Sequence, residues 1–467
     1  MVSGAASPQE VERSWRTPSR AWYSVIVLSL VSMMSNIDRG IVNLLVGPMK
    51  RDLHLTDSEI SLLIGATFSI AYVFLSFPLS RLADTRSRKV ILTTGLTLWS
   101  FATMLCGLAQ ALWQLFAARA LVGAAESVKG PCSMSMIADL VPHEKLPRAF
   151  AIFQLGITGG MAGALVVGGL LLTLFSGLPP LYLPGGIVVH DWHLVLLATG
   201  FPGLLLAAVM AMTVREPARR DRTDHDGVPL REVARFLGKH WQFYLPLFAG
   251  IAIASIESYG LQAWRPAFFD RSYGWRPERI GPLLGGAILV ATPLGLYLGT
   301  LVAEYLTRRR PQDALVLSCL IAYGLAMPLF AIMPLMPDPW AALALAFFGF
   351  TAWSMSAPGQ NAAIQIVTPN AMRGQVSALY LFSISVVGGG FGPTAIALIT
   401  DHVFRDEAML RYAMATFSLI VGPLVLLSIA SAVRPYRAAY RQMQGSPRPW
   451  PDTIDNPTSQ RRVACSG

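Results

Sequence analysis

The sequence predicts an all-α membrane protein of about twelve spans, arranged as two related six-helix halves. Three observations carry this prediction. The 467 residues are 53% hydrophobic and only 14% charged, with a mean hydropathy of +0.49, too apolar for a soluble globular chain of this length. A dozen apolar stretches reach crossing length. The first half also matches the second at an offset of 220 positions.

The stretches begin near Trp22, Ile60, Val90, Ala111, Phe150, His193, Phe243, Ile280, Ala314, Ala341, Val376 and Ala413. Each is expected to run about twenty residues, enough to cross roughly 30 Å of hydrocarbon. Helix breakers separate them, among them the segment 177–186 with Pro179, Pro180 and Pro184, and Met336-Pro337-Asp338-Pro339. The organisation that follows is a polar tail at 1–20, an N-terminal six-helix bundle at 21–214, a linker at 215–240, a C-terminal six-helix bundle at 241–433 and a disordered tail at 434–467. Residues 1–20 carry Arg13, Arg16 and Arg20 but no short apolar run ending in a small-residue cleavage site, so span 1 is expected to be retained.

With the N-terminus in the cytoplasm, the tails and even-numbered loops hold 26 of the 37 Lys and Arg residues, against 8 in the odd-numbered loops. The positive-inside bias then puts both termini in the cytoplasm, and the plasma (inner) membrane is the expected location. Linker residues Leu230, Val233, Phe236 and Leu237 recur at helical spacing beside Arg231, Arg235 and Lys239. That pattern fits a short helix on the membrane surface as well as a solvated linker.

The offset of 220 superposes Ile60, Leu63, Gly65, Ala71, Ala83, Asp84 and Arg88 on Ile280, Leu283, Gly285, Ala291, Ala303, Glu304 and Arg308. Pro131 and Pro142 likewise answer Pro358 and Pro369. Two parallel six-helix repeats, with a substrate site at their interface near the midplane, is the arrangement of the major facilitator transporters.

The residues carry that resemblance further. Leu82-Ala83-Asp84-Thr85-Arg86-Ser87-Arg88-Lys89 resembles the family's loop motif GxLADRxGRK. Asp38-Arg39 in span 1, Arg119 to Glu126 in span 4 with Pro131 and Asp139 after it, and Gly392-Pro393 with Asp401 in span 11 resemble the spinster branch. Members of that branch are associated with lysophospholipids and sphingosine phosphates. The resemblance implies a lysolipid or sphingoid-phosphate transporter. For Asp84 and Arg88, and less directly Glu304 and Arg308, it implies a latch that closes the inner side; interfacial anchoring by positive charge is the plainer role for the same residues.

A charge at the centre of a span costs roughly 3 kcal/mol or more, so such residues normally face protein or a watery cavity and are paired. Asp38, Arg39, Arg119, Glu126, Lys129 and Glu257 are of this kind. Counting along antiparallel spans 1 and 4 puts Asp38 and Arg119 at similar depth, and they are expected to pair. Glu126 falls two turns below Arg119 on the same helix face. Burial and a neighbouring guanidinium act oppositely on a carboxyl's proton affinity. Asp38 and Glu126, with Arg119, are therefore read as proton-coupling groups, or else as fixed ions that hold helices in register. Arg39, with Asn36 and Asn43 nearby on span 1, either holds an anionic head group or snorkels outward. Lys129 either neutralises Glu126 three residues away or meets a substrate anion.

On the C-terminal side, Glu257, Tyr259 and Gln262 of span 7 and Trp353, Gln360 and Asn361 of span 10 are the candidate ligand contacts. They make an amphipathic wall suited to a polar head and an apolar body. Glycines at 156, 159, 160 and 163, and at 388, 389, 390 and 392, are expected to allow close helix approach.

Other classes fit less well. The basic residues are spread over many loops and not gathered on one face, which argues against nucleic acid. All seven His residues fall in loops or at span ends, and the four Cys residues show no ligand spacing, so neither metal nor cofactor is expected. There is no GxxxxGK loop and no GxSxG elbow, so no enzyme is expected. The expected function is proton-coupled transport of a small amphiphilic or anionic substrate by a monomer among membrane lipids. A sugar-acid symporter is the nearest rival, and a membrane sensor or lipid-modifying enzyme the alternative of another class.

Overall fold

The computed structural model describes residues 18–183, 187–219, 229–369 and 372–445. Span 1 is Pro18–Ile41, and the short helix Val46–Leu53 follows it. Span 2 starts at Asp57, runs through a π-turn at Leu62–Ala66 and ends at Thr85. Spans 3, 5 and 6 are Arg88–Cys106, Leu146–Phe175 and Asp191–Thr213. Span 4 is two consecutive pieces, Leu112–Glu126 and Lys129–Leu140.

In the second half, spans 7, 8 and 9 are Trp241–Tyr273, Pro277–Arg309 and Ala314–Ile332. Span 10 joins Pro339–Ser354 to Ser356–Val367. Span 11 joins Arg373–Ser383 and Gly389–Leu398 through one π-turn and ends in another, Ile399–Phe404. Span 12 is Leu410–Gly445. Among the described residues, 11 helices are long and apolar enough to cross a membrane. Span 4 makes the twelfth; it carries Arg119, Glu126 and Lys129 and is interrupted at Ser127 and Val128.

Local chemistry sets the ends. Thr56 and Glu59 form a reciprocal capping box at the start of span 2. The Ser87 hydroxyl accepts the Val90 N–H at the head of span 3, and the Asp338 carboxylate accepts the Ala341 N–H at the head of span 10. Gly274, at φ +67°, closes span 7 in the left-handed conformation that glycine adopts without strain.

Three features depart from the sequence reading. Spans 5, 7, 8 and 12 run 30, 33, 33 and 36 residues, because helical backbone continues past the apolar stretch into polar ends. The tail is one such end. Residues 434–445, expected to be disordered, extend span 12, where Arg437 holds Asp313 and Arg441 holds Gln312 while Tyr436 is buried; residues 446–467 lie outside the described residues. Third, the breaker segment after span 5 holds a small antiparallel hairpin, β1 (Leu181–Leu183) paired with β2 (Ile187–Val189). The linker contains a helix, Leu230–Lys239, whose Val233, Phe236 and Leu237 pack on the C-terminal bundle.

Spans 1 to 6 pack together, as do spans 7 to 12, and the halves meet where span 5 lies along span 8 and span 2 along span 11. A Cβ added to Gly65 would sit 2.7 Å from the Gly389 carbonyl oxygen, so the span 2 to span 11 contact needs glycine. Gly160 in span 5 meets the span 1 backbone at Met33 in the same manner.

Candidate functional site

Spans 1 and 4 bring five ionisable side chains into the middle of the N-terminal half. Asp38 and Glu126 have no solvent exposure and Arg119 retains 2%. Lys129 and Arg39 lie within electrostatic range of both carboxylates or of Glu126. The interruption of span 4 falls directly after Glu126 and before Lys129, so the charges flank a break in the helix.

The pairing differs from that expected. Asp38 has no hydrogen-bond partner on either oxygen, and Arg119 has none on Nε or Nη2. Equal depth along two helices did not fix the direction of the side chains: the Arg119 guanidinium lies 5.6 Å from the Phe68 ring of span 2. Trp99 of span 3 stands close enough to Asp38 to interact electrostatically without closing a hydrogen bond. Glu126 instead takes Arg39, whose Nη2 donates to its Oε2 at 3.3 Å, leaving Oε1 without a partner.

Arg39 therefore points inward. Its guanidinium covers the Phe68 ring at 4.2 Å and stands 5.7 Å from Tyr72, a cation–π arrangement. The side chain keeps 30% of its surface while its partner keeps none, and Tyr259 from the other half is within electrostatic range. Lys129 forms no direct ion pair with Glu126, though it stays within electrostatic range of it; its Nζ donates to Ser35 Oγ at 2.6 Å. Asn36 Nδ2 donates to the Ser32 carbonyl one turn back, and Asn43 sits in the turn after span 1, 9% exposed with Oδ1 unpartnered.

The C-terminal candidates separate. Glu257 is fully buried with both oxygens unpartnered. Near it lies a charge that sequence reading had assigned to a loop: Arg265, 2% exposed, with Nε, Nη1 and Nη2 all unpartnered. Its guanidinium lies 4.0 Å from the Phe350 ring and 5.0 Å from Phe330. An expected span of twenty residues ended before it, and the 33-residue helix carries it inside. Gln360 is a structural hub and not a cavity wall. Its Nε2 donates to Tyr323 (2.6 Å) and Ser356 (2.7 Å), and its Oε1 accepts from Tyr380 (2.8 Å), tying spans 9, 10 and 11 together. Tyr259, Gln262 and Trp353 are half-buried, and Asn361 is exposed.

At the end that carries the linker, Arg88 is 2% exposed and organises its surroundings. It donates to Asp139 and Ser135 of span 4, to Glu216 Oε1 at 2.9 Å and to the Pro217 carbonyl at 2.9 Å. Glu216 Oε2 also accepts the Lys89 N–H (2.7 Å) and the Ser87 hydroxyl (2.8 Å). Burial raises the proton affinity of Glu216, and these donors outweigh it, holding its carboxyl below the ordinary range. The side chain of Asp84 lies outside the described residues. Glu304 and Arg308 are exposed and, among the described residues, form no ion pair.

The opposite end carries a cluster of which the sequence had singled out only Asp401. Arg271 at the end of span 7 donates to both oxygens of Asp57 at the start of span 2, at 2.7 and 2.8 Å. Lys50 contacts Asp57 and reaches Glu407 at 2.8 Å, Arg51 approaches Asp270 at 3.8 Å, and Asp401 accepts from the Ser58 N–H and hydroxyl at 2.7 and 2.6 Å. All ion pairs between the halves, among the described residues, are in this cluster. Nearby, Asp52, His190 and His193 have ligand atoms within 4.8 Å of one another, but they are already engaged. Asp52 holds His190 (2.9 Å) and the Trp192 indole (3.0 Å), and the His193 ring nitrogens meet the His190 N–H and the Ala109 carbonyl.

Comparison with known proteins gives this arrangement a family. The model of the Major Facilitator Superfamily matches residues 28–393. An MFS-type efflux pump of Mycolicibacterium smegmatis is 28% identical over 411 residues, covering 87% of this chain and 90% of that one. Protein spinster homolog 1 of Xenopus tropicalis is 25% identical over 406 residues, 82% of this chain and 74% of the relative. A crystal structure of a bacterial homolog to the human lysosomal transporter Spinster, inward-facing and unoccupied, superposes with a TM-score of 0.74 at 22% identity, covering 92% of this chain and 99% of that one. The chain is a multi-pass membrane protein that belongs to the Major Facilitator Superfamily of transporters and is related to its spinster members.

Proposed function

We propose that the chain is a proton-coupled secondary transporter of an amphiphilic organic anion, a lysophospholipid or sphingoid phosphate, working by alternating access as a monomer. The observation that carries the reading is the Arg39 site: an arginine that stays 30% exposed at membrane depth, held by a buried glutamate and backed by two aromatic rings. An anionic head group fits a guanidinium with a free edge, and an apolar body fits Phe68 and Tyr72.

Proton coupling rests on Glu126 and Asp38. Protonating Glu126 removes the charge that holds Arg39, which frees the guanidinium for the substrate; loading a proton and loading an anion thereby support each other. Asp38 and Arg119 are buried within electrostatic range of one another and form no ion pair; closing that contact in another conformation would change the proton affinity of Asp38. The positive-inside bias supports cytoplasmic termini, in the inner membrane. With that orientation the clasped end is external and the described conformation faces inward. In the opposite conformation Asp84 and the Arg88 cluster take over as the inner latch.

The sugar-acid symporter remains a rival because Arg39 would also hold a small carboxylate. A flux assay in proteoliposomes with an imposed pH gradient separates the two. Uptake of lysophospholipid or sphingoid phosphate, lost in D38N and E126Q, is expected; uptake of sugar acids alone would overturn the lipid reading. Binding without any flux would favour a sensor or a lipid-modifying enzyme.

A further inference from the structure

A pocket of about 630 Å³ opens at the linker end of the N-terminal half, well away from the Arg39 site. Its walls come from the start of span 1 (Arg20 to Ser24), the end of span 4 with the loop after it (Asp139 to Pro142, and Lys145), and the end of span 6 with the linker's first residues (Met212, Thr213 and Arg215 to Ala218). Asp139 is 13 residues past Glu126 on span 4, roughly 20 Å farther along the helix axis at 1.5 Å per residue.

The charges in this pocket do not cancel. Asp139 and Glu216 are both bound to Arg88. Arg20, Lys145 and Arg215 stand exposed at the rim, and among the described residues none of the three has a carboxylate within ion-pair distance. Three rim cations and Arg88 against two acids leave the pocket positive. Next to the cations the wall turns apolar: Tyr23 and Met212 are 40% and 77% exposed, Trp22 stands beside them, and the Tyr23 hydroxyl is tied to Thr213 at 2.8 Å. Aromatic rings beside basic groups at helix ends mark the depth of lipid head groups.

We propose that this pocket is a binding site for a phosphate ester anion, its phosphate among Arg20, Lys145 and Arg215 and its apolar part along Tyr23 and Met212. The apolar wall favours an anionic phospholipid of the adjoining leaflet over a soluble phosphate ester. Bound there, the anion bridges the ends of spans 1, 4 and 6 around the Arg88 cluster, so occupancy stiffens the inner end of this half. The site is independent of what the Arg39 site transports, and its test does not read transport.

The full chain in phosphatidylcholine nanodiscs is titrated with phosphatidylglycerol, and retained lipid is counted by native mass spectrometry alongside thermal melting. The wild type is expected to retain one phosphatidylglycerol and melt higher with it. The exposed-residue variant R20Q/K145Q/R215Q should bind at least tenfold more weakly and lose the rise. Glycerol phosphate supplies the second arm: if it displaces the lipid the soluble ester is the source, and if it does not the leaflet is. Equal retention in the triple variant overturns the proposal. So does an equal loss in R231Q/R235Q/K239Q, which would mean general surface charge, or a loss in R39Q but not in the triple variant, which would put the lipid at the Arg39 site.

Discussion

Arg271 grips both carboxylate oxygens of Asp57, at 2.7 and 2.8 Å, across the seam between the two halves. A bidentate guanidinium–carboxylate pair is a strong contact at a partly buried site, and here it ties the two halves together at this end. R271Q should therefore open the end. Charge-assisted hydrogen bonds contribute about 1.5–3 kcal/mol, so the closed population should fall by roughly ten- to a hundredfold relative to the open one. Spin labels at the ends of spans 1 and 7 would report it as a longer distance; an unchanged distance distribution would mean that Lys50 and Asp401 hold the seam alone.

Replacing Arg39 should weaken binding of the anionic substrate by ten- to a hundredfold, the loss of about 1.5–3 kcal/mol of charge-assisted bonding. R39K should recover little, since a compact ammonium cannot both hold Glu126 and lie flat on Phe68. Isothermal titration in detergent reads the affinity. Equal binding by wild type and R39Q would move the head group elsewhere.

Glu216 gives the linker end an acid-sensitive lock. Its carboxyl titrates lower in the folded chain, because donors from Lys89, Arg88 and Ser87 outweigh burial. A lowered folded value means that its stabilisation is present above the ordinary carboxylate range and disappears as pH falls through the folded value. The melting temperature of the wild type should drop between about pH 5 and pH 3 more steeply than that of E216Q. Parallel profiles would assign the acid loss to other groups.

Arg265 lies against two rings, with Glu257 in electrostatic range but beyond ion-pair distance. F350L removes the ring at 4.0 Å and should cost about 1–2 kcal/mol of cation–π attraction, seen as a lower melting temperature. In an R265M background the same change should cost less, because the cation is gone. Equal costs in both backgrounds would reduce the Arg265–Phe350 contact to ordinary packing.

Gly65 faces the Gly389 carbonyl with no room for a side chain. G65V should push span 2 off span 11 and slow exchange between conformations while leaving expression intact. Wild-type transport by G65V would show that the two spans need not approach this closely.

Several features were legible in the chain itself. Span count and the two-half repeat follow from hydropathy and from one offset, because a bilayer demands about twenty apolar residues per crossing and leaves few alternatives. Asp38, Arg39, Arg119, Glu126 and Glu257 stood out for the same reason: each is a charge where charges are costly. Arg265 escaped because the membrane sets the length of the apolar stretch but not that of the helix, and span 7 continues to Tyr273.

Partner choice was decided by tertiary structure. Depth along a helix is linear in sequence, so the sequence put Asp38 level with Arg119; side-chain direction depends on the rings and backbones packed around it, and there Arg39 took Glu126, Lys129 took Ser35 and Gln360 turned into the bundle. The Asp57–Arg271 clasp joins residues 214 positions apart. No local pattern encodes such a contact, which exists only once two halves fold and meet. The sequence by itself determined a two-bundle transporter scaffold with most of its intramembrane charges in the first bundle and Glu257 in the second. The packing determined which of those charges hold each other and which remain unpaired.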